Sequence, residues 1–383
     1  MRMNRRDFLG LATILPVLPY LSLSNNAAAQ TAQRGKTLIL LELKGGNDGL
    51  NTLIPYQDDL YYHHRPNLAI RASNTIPLTQ GMAMHPALKP LTKLWEQGDL
   101  AWVQGIGYPQ SSESHFLACD VWHTARPTAK TMTGWLAHVL PQYQQQTKGI
   151  SFDEDFAALQ GRNSKALMIK NPQQFLDQVS LVRQKQVQTD KVALAHILAV
   201  QNQLGTTAGH LSQQLTAMPQ LPVTFPQHLF GKQLAYIAQM IAANVDVPIY
   251  KLSLGSFDTH INQSHRHASL LLQLAEGLNA FQQIMQHLGR WNEVLIMSYS
   301  EFGRRVAENG NGGTDHGTAS VQMIAGGQVR GGLYGQTPRL DQLDKGNLAY
   351  TTDFRSSYTT IAKYWLNSTQ QPWGKYPSLS FLS

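Results

Sequence analysis

Four short and almost uninterrupted apolar runs, Lys36–Leu43, Asp99–Gln104, Pro248–Leu254 and Glu293–Met297, each lead into a turn rich in Gly, Ser or Asn, and a fifth, Val321–Ala325, closes the series. Runs of this length without polar alternation are expected of central strands covered on both faces. Between them lie segments with helical apolar spacing: His85–Gly98, Leu229–Asn244 and Ser264–Leu288. Strands alternating with helices predict an α/β fold, a doubly wound and mostly parallel sheet in which successive strands pair side by side. In such a sheet ligands bind at the carboxyl edge of the strands, where loops and helix N-termini converge. The residues just beyond each run are therefore where chemistry is expected.

Those residues are polar in a consistent way. After the first run comes Lys44–Thr52 (KGGNDGLNT), which puts Asp48 at the edge. Its glycines allow close backbone approach, although a tight turn that uses Asn and Asp only as turn formers reads the same. The second run leads to Ser114-His115-Phe116 ahead of a helix. A serine or histidine there suits a nucleophile or ligand, and Ser112, Glu113 and Ser114 equally suit a helix N-cap; the sequence does not separate the two. The third run ends in GSFDTHINQSH, where Asp258 and His260 are two apart and, in extended chain, point the same way. A carboxylate and an imidazole converging on one point form a pair for zinc or another divalent metal. The competing reading makes Asp258 a helix cap and His260 a polar loop residue. The fourth run opens SYSEFGRRVAENGNGGTDHGTAS, which carries Glu301 and, just before the fifth run, His316. Taken together, the strand ends outline a metal-centred site on one edge of the sheet. Near the C-terminus Asp353 is placed to cap a helix running to Leu366, and it is read with Arg355 as structural.

The chain of 383 residues can bury a large core, and 42% hydrophobic with 14% charged residues is ordinary globular composition. Residues 1–29 read as a leader: Arg5-Arg6 stand ahead of an apolar stretch, Leu11–Leu23, that ends at Ala27-Ala28-Ala29. Twin arginines before a modest apolar core look like a Tat signal. The stretch is short and holds Pro16 and Pro19, so no permanent membrane span is expected after cleavage. The Tat translocase is then a partner, and the destination is periplasmic or secreted. The leader accounts for two of the seven net positive charges, and the remainder are scattered without a basic, aromatic-interleaved stretch, so no nucleic-acid partner is expected. With Cys119 as its one cysteine the chain can form no internal disulfide. Residues 30–383 read as a single domain in which 127–228, rich in Gln, Leu and Ala at helical spacing between Gln173 and Met218, form a helical insertion capping one side of the sheet.

The segments LLELKGGNDGLNTLIPY, HPALKPLTKLWEQGDLAWVQGIGYP, SESHF, GSFDTH, SEFGRRVAENGNGGTDHG and TDFRSSY resemble the bacterial exported proteins of the "domain of unknown function 1501" family, over nearly the whole mature chain. That family in turn resembles the alkaline phosphatase and sulfatase superfamily. The resemblance implies a three-layer sandwich with helices on both faces of the sheet and one or two divalent metals, zinc, manganese or calcium, at its carboxyl edge. It implies that Asp48, Asp258, His260, Glu301 and His316 are metal ligands. Phe302 stands where a second-site histidine is expected, so one metal site is expected and a second is in doubt. Ser114, with Ser112 as rival, His115 and Arg304 are the candidate catalytic residues, Arg304 or Arg305 for binding an oxyanion. Two functions follow. One is an exported metal-dependent hydrolase of phosphate or sulfate esters acting on an anionic small-molecule or envelope substrate. The other is a non-catalytic periplasmic binding or assembly protein on a degenerate scaffold.

Overall fold

The computed structural model describes residues 35–127, 133–140, 148–161, 166–170, 209 and 219–383. The principal elements are β1 (Thr37–Leu43), β2 (Leu100–Gly107), α1 (His115–Thr124), β3 (Gly149–Ser151), β4 (Ala166–Met168), α2 (Leu229–Ala242) and β5 (Ile249–Leu254). They continue with α3 (Gln263–His287), β6 (Val294–Tyr299), β7 (Ser320–Ala325), β8 (Gly332–Gly335), β9 (Thr352–Asp353) and α4 (Arg355–Thr360).

β1 is buried at every position, and its side chains divide by period two. Ile39, Leu41 and Leu43 enter a core shared with Leu234 of α2 and Leu274 and Phe281 of α3. Leu38 and Leu40 enter a second core with Trp122 of α1 and Tyr358 of α4. One face of the sheet is thus closed by α2 and α3 and the other by α1 and α4, which is a three-layer α/β sandwich. Fully burying one of these leucines stabilises the fold by about 1.5–3 kcal/mol.

The described residues form a nine-stranded sheet in the order β8-β2-β7-β6-β1-β5-β3-β4, with β9 also pairing β2. β1 runs parallel to β5 and β6, whereas β7 runs antiparallel to both of its neighbours. The predicted side-by-side pairing of β1 with β2 is therefore corrected: the two point the same way but β6 and β7 lie between them. Strand order depends on long-range packing and has no local signal. The reversed direction of β7 matters for the site. Its first residue lies at the edge where β1, β2, β5 and β6 end, so the segment leading into it reaches the same edge as the segments leaving the others.

Several boundaries shift for identifiable reasons. The helix expected over His85–Gly98 is a 3-10 segment, Pro86–Leu91, followed by a short α-helix, Thr92–Glu96, because Pro90 lacks an amide hydrogen and crowds the preceding turn. β6 continues to Tyr299, and Glu293 belongs to a 3-10 turn ahead of it. Asp353 accepts from the Arg355 amide at 3.0 Å and binds the same residue's guanidinium, so this pair holds the start of α4. Within 127–228, β3 and β4 extend the sheet beyond β5, so these two segments belong to the sheet and do not cap it. Apart from Gly209 the glutamine-rich stretch 173–218 lies outside the described residues, as does the expected leader, residues 1–29. Among the described residues no helix is long and apolar enough to cross a membrane.

Candidate metal centre

Three segments meet at the carboxyl edge: the loop after β5, the loop before β7, and the start of α1. Two glycines let them close. Gly45, in the turn after β1, has φ +115°, and a Cβ there would lie 2.3 Å from the amide nitrogen of Asp258. A Cβ on Gly313 would lie 2.3 Å from the carbonyl of His260. The two loops then join through their backbones, with the Thr314 amide donating to the Thr259 carbonyl at 3.2 Å.

This closure brings four side chains together. His115, Asp258 and His316 present ligand atoms all within 4.8 Å of one another. His260 Nε2 lies 3.0 Å from His316 Nε2, and each of these nitrogens is 3.1 Å from Asp258 Oδ1. His115 Nε2 is 3.7 Å from Asp258 Oδ2.

The outward-facing nitrogens decide where the protons are. His316 Nδ1 is 2.8 Å from the carbonyl oxygen of Glu113, which only accepts, so Nδ1 carries the hydrogen. His260 Nδ1 faces the Asp315 carboxylate at 3.1 Å and His115 Nδ1 faces Glu301 Oε1 at 2.8 Å, with the same consequence. Hydrogen bonds from Asn309 and His260 hold the Asp315 carboxyl below its ordinary range. In their neutral forms all three imidazoles therefore turn a lone pair of Nε2 toward Asp258. Lone pairs at 3.0–3.1 Å repel unless a proton or a cation lies among them. A tetrahedral ion bound at about 2.0–2.1 Å separates its donors by about 3.3 Å, so the residues fit such an ion.

Asp258 is 45% exposed and is held by Arg304, whose Nη2 is 2.6 Å from Oδ1. Burial pushes the Asp258 carboxyl up, but the hydrogen bond and the charge of Arg304 outweigh it and leave the group ionised below its ordinary value. Arg304 is itself buried. Its Nε donates to the Gly46 carbonyl at 2.7 Å, Nη1 to Thr314 at 2.8 Å, and Nη2 also to Phe257 at 3.0 Å and to Gly45. The expected oxyanion role is corrected accordingly, because every nitrogen of Arg304 already donates within the protein; Arg305 is exposed.

Glu301 is 3% exposed, and its Oε1 accepts from the Gly45 amide and from His115. The structure thus places it behind His115 and not among the converging atoms. Asp48 does not reach the cluster: its carboxylate is buried against Arg65, with Nη1 at 2.6 Å and Nη2 at 3.0 Å. Phe302, at the expected second-site position, fills the wall between the rings of His115 and His316, with centroids 4.8 and 4.5 Å away. Ser114 stands at the N-cap of α1, but its hydroxyl makes no capping bond and has no partner among the described residues. Ser112 Oγ accepts from the Ser114 amide at 3.1 Å.

A second group went unread in the sequence. Glu42, His123 and Asp155 also converge, and Lys251 Nζ lies 2.8 Å from Glu42 Oε2. Glu42, His123 and Asp155 line a cavity of about 590 Å³ that His115 and Asp258 of the first group also border, with Lys44, Phe116 and Cys119 in its wall. The available signal was a single Glu in β1 and a single Lys in β5, charged residues inside otherwise apolar strands. Register places Lys251 beside Leu40, hence on the same face as Glu42 two residues on.

Fold and site together define an α/β three-layer protein with a His/Asp cluster suited to a divalent cation at the carboxyl edge of its sheet. The chain belongs to the family described as "Protein of unknown function (DUF1501)", whose profile matches residues 108–361. No curated protein sequence matches it. Among solved structures it is similar to the lipoteichoic acid synthase LtaP from Listeria monocytogenes, at 11% identity and TM-score 0.37, covering 80% of this chain and 67% of that one. It is similar to a protein in the alkaline phosphatase superfamily from Vibrio parahaemolyticus, at 11% identity and TM-score 0.37, covering 91% and 77%. The PsFucS1 sulfatase from Pseudoalteromonas sp. gives 11% identity and TM-score 0.40, covering 88% and 68%. Likenesses this distant assign no role to any residue.

Proposed function

We propose that this protein is a metal-dependent hydrolase of phosphate or sulfate esters, exported by the Tat translocase to the periplasm or beyond and acting on an anionic small-molecule or envelope substrate. The observation that carries the reading is the triangle of His260 Nε2, His316 Nε2 and Asp258 Oδ1 at 3.0–3.1 Å, with the hydrogens of both rings committed elsewhere. Asp258, His260 and His316 would hold the ion, and His115 would complete the set. A divalent cation there would supply Lewis-acid polarisation of an ester oxygen.

The chain's own residues do the remainder. Arg304 fixes Asp258 and keeps it ionised. Glu301, Asp315 and the Glu113 carbonyl hold the three imidazoles in one tautomer, with the basic nitrogen inward. Phe302 excludes water from the space between two of the rings, and the adjoining cavity admits the substrate. Ser114, the cap of α1 one residue before the cavity-lining His115, is the candidate nucleophile. The test is metal analysis of purified protein by mass spectrometry, with a screen of phosphate and sulfate esters. Near-stoichiometric metal with turnover that both disappear in His316→Ala supports the reading, and turnover surviving in that variant refutes it. Cell fractionation with Arg5→Lys/Arg6→Lys tests export.

One observation favours the second reading, a non-catalytic binding or assembly protein: among the described residues nothing within hydrogen-bond reach activates the Ser114 hydroxyl. Metal binding without turnover on any ester would select it.

A further inference from the structure

The separation of His260 and His316 has to be set by something, since they lie on different loops. Behind the cluster, fully buried, is Gln263, the first residue of α3. Its amide oxygen accepts from two hydroxyls at once, Thr259 Oγ1 at 3.0 Å and Thr314 Oγ1 at 2.6 Å. Thr259 sits between Asp258 and His260 in the chain, and Thr314 is two residues before His316. One acceptor atom therefore ties together the loops that carry the ligands, and both hydroxyls are buried with it.

The orientation of that amide is not free. Its Nε2 donates to Asp48 Oδ2 at 2.5 Å, and a carboxylate can only accept, so the oxygen must face the threonines. Asp48 is in turn fixed by the fork of Arg65, whose Nε and Nη2 also donate to the carbonyls of Val306 and Arg305 at 2.8 and 2.9 Å. The backbone repeats the tie, the Gln263 amide donating to the Gly312 carbonyl at 2.9 Å.

We infer that Gln263 is a positioning residue: through Thr259 and Thr314 it sets the distance between the His260 and His316 nitrogens, and so the affinity of the site for a metal ion. The inference rests on the metal-site reading above. A residue that merely fills space would be replaceable by an apolar side chain of similar volume, whereas this role needs the acceptor and both donors. Asp48, expected as a ligand, takes its place as the anchor of that acceptor.

The experiment measures zinc affinity of the whole mature protein by competition with a chromophoric chelator, zinc being the ion an imidazole-rich set favours. Thr314→Val and Gln263→Met are compared with Thr314→Ser, which keeps the hydroxyl. Weakening by about 10–100-fold in the first two, with recovery in the third, is the expected result. Should Gln263→Met not fold, the two Thr314 variants decide alone. Native affinity in Thr314→Val, or equal weakening in Thr314→Ser, overturns the positioning role while leaving the metal site intact. A native protein that binds no zinc, manganese or calcium overturns the metal reading and this inference together.

Discussion

Two clusters of the same residue types border one cavity, one through His115 and Asp258 and the other through Glu42, His123 and Asp155, and they are opposites. At the mouth, three imidazoles turn lone pairs toward Asp258, and their hydrogens are all used on the far side. In the floor, Glu42 and His123 lie with Asp155 around Lys251, whose ammonium is 2.8 Å from Glu42 and 3.1 Å from Asp153. Burial pushes the Glu42 carboxyl up, but the charge of Lys251, with help from His123 and Lys44, overrides it and holds the group well below the carboxylate range. The floor has its cation built in; the mouth presents lone pairs suited to one from outside. Histidines and acids within bonding distance therefore do not by themselves define a metal site. What defines it is where hydrogens and positive charge already stand.

The largest effect that tests this contrast is at the floor. Lys251→Met leaves Glu42 buried and without its counter-ion, and the expected loss is about 3–5 kcal/mol in urea denaturation at unchanged slope. Metal content should not change. If the variant loses metal along with stability, the two clusters are one site and the contrast is wrong. The pH dependence has a definite sign. Glu42 titrates lower in the folded protein than in the unfolded chain, so the unfolded chain takes up more protons in acid. The stability it contributes is present above roughly pH 4.3 and is lost as pH falls below that value. The gap between native protein and Glu42→Gln should accordingly narrow on acidification.

At the mouth the expected effect is smaller and of another kind. A bound ion at about 100 times its dissociation constant stabilises the native state by about 2.7 kcal/mol, so a chelator should lower the melting temperature of the native protein. His316→Ala should melt near the chelated native protein and show no further response to chelator. A chelator response that persists in His316→Ala would place the ion elsewhere.

How much of this was legible in the sequence follows from how local each signal is. The strands over 37–43, 249–254, 294–299 and 320–325 were readable because a strand buried on both faces leaves a continuous apolar run. Asp258 and His260 were readable as a pair from their spacing, and His316 from its place before β7. Asp48 was misplaced because its partner, Arg65, stands at the end of a short helix, Asp59–His64, and nothing local in the sequence ties the two together. Arg304 was misread because a sequence cannot show that four backbone carbonyls wait for a guanidinium. Glu301 was placed at the right edge but assigned to the ion, whereas its oxygen is taken by His115.

That last point gives a finer test. Glu301→Gln keeps the shape behind His115 and removes the charge that holds its Nδ1 hydrogen and makes Nε2 a better donor. Metal affinity should fall by about 10–100-fold, with folding stability little changed. An unchanged affinity would remove His115 from the ligand set and leave His260, His316 and Asp258.

The smallest expected change comes from altering the floor most. Glu42→Leu combined with Lys251→Met removes both charges of the buried pair. An ion pair taken out of water returns little net stability, because desolvation of the two ions cancels most of their attraction; replacement by apolar groups is often near neutral. Asp153 and Asp155 lose a partner in this variant, but Asp155 is 35% exposed and Asp153 keeps Lys44 at 2.5 Å. The double variant should therefore be far more stable than the sum of its single variants, within about 1–2 kcal/mol of native, and should bind metal as the native protein does. Additive losses would mean that the floor is not a self-contained pair and that its charges act on something beyond it, the His/Asp cluster across the cavity being the nearest candidate. Near-neutrality would mean that the floor is there to close the fold beneath the site, and that the chemistry of the cavity belongs to the mouth.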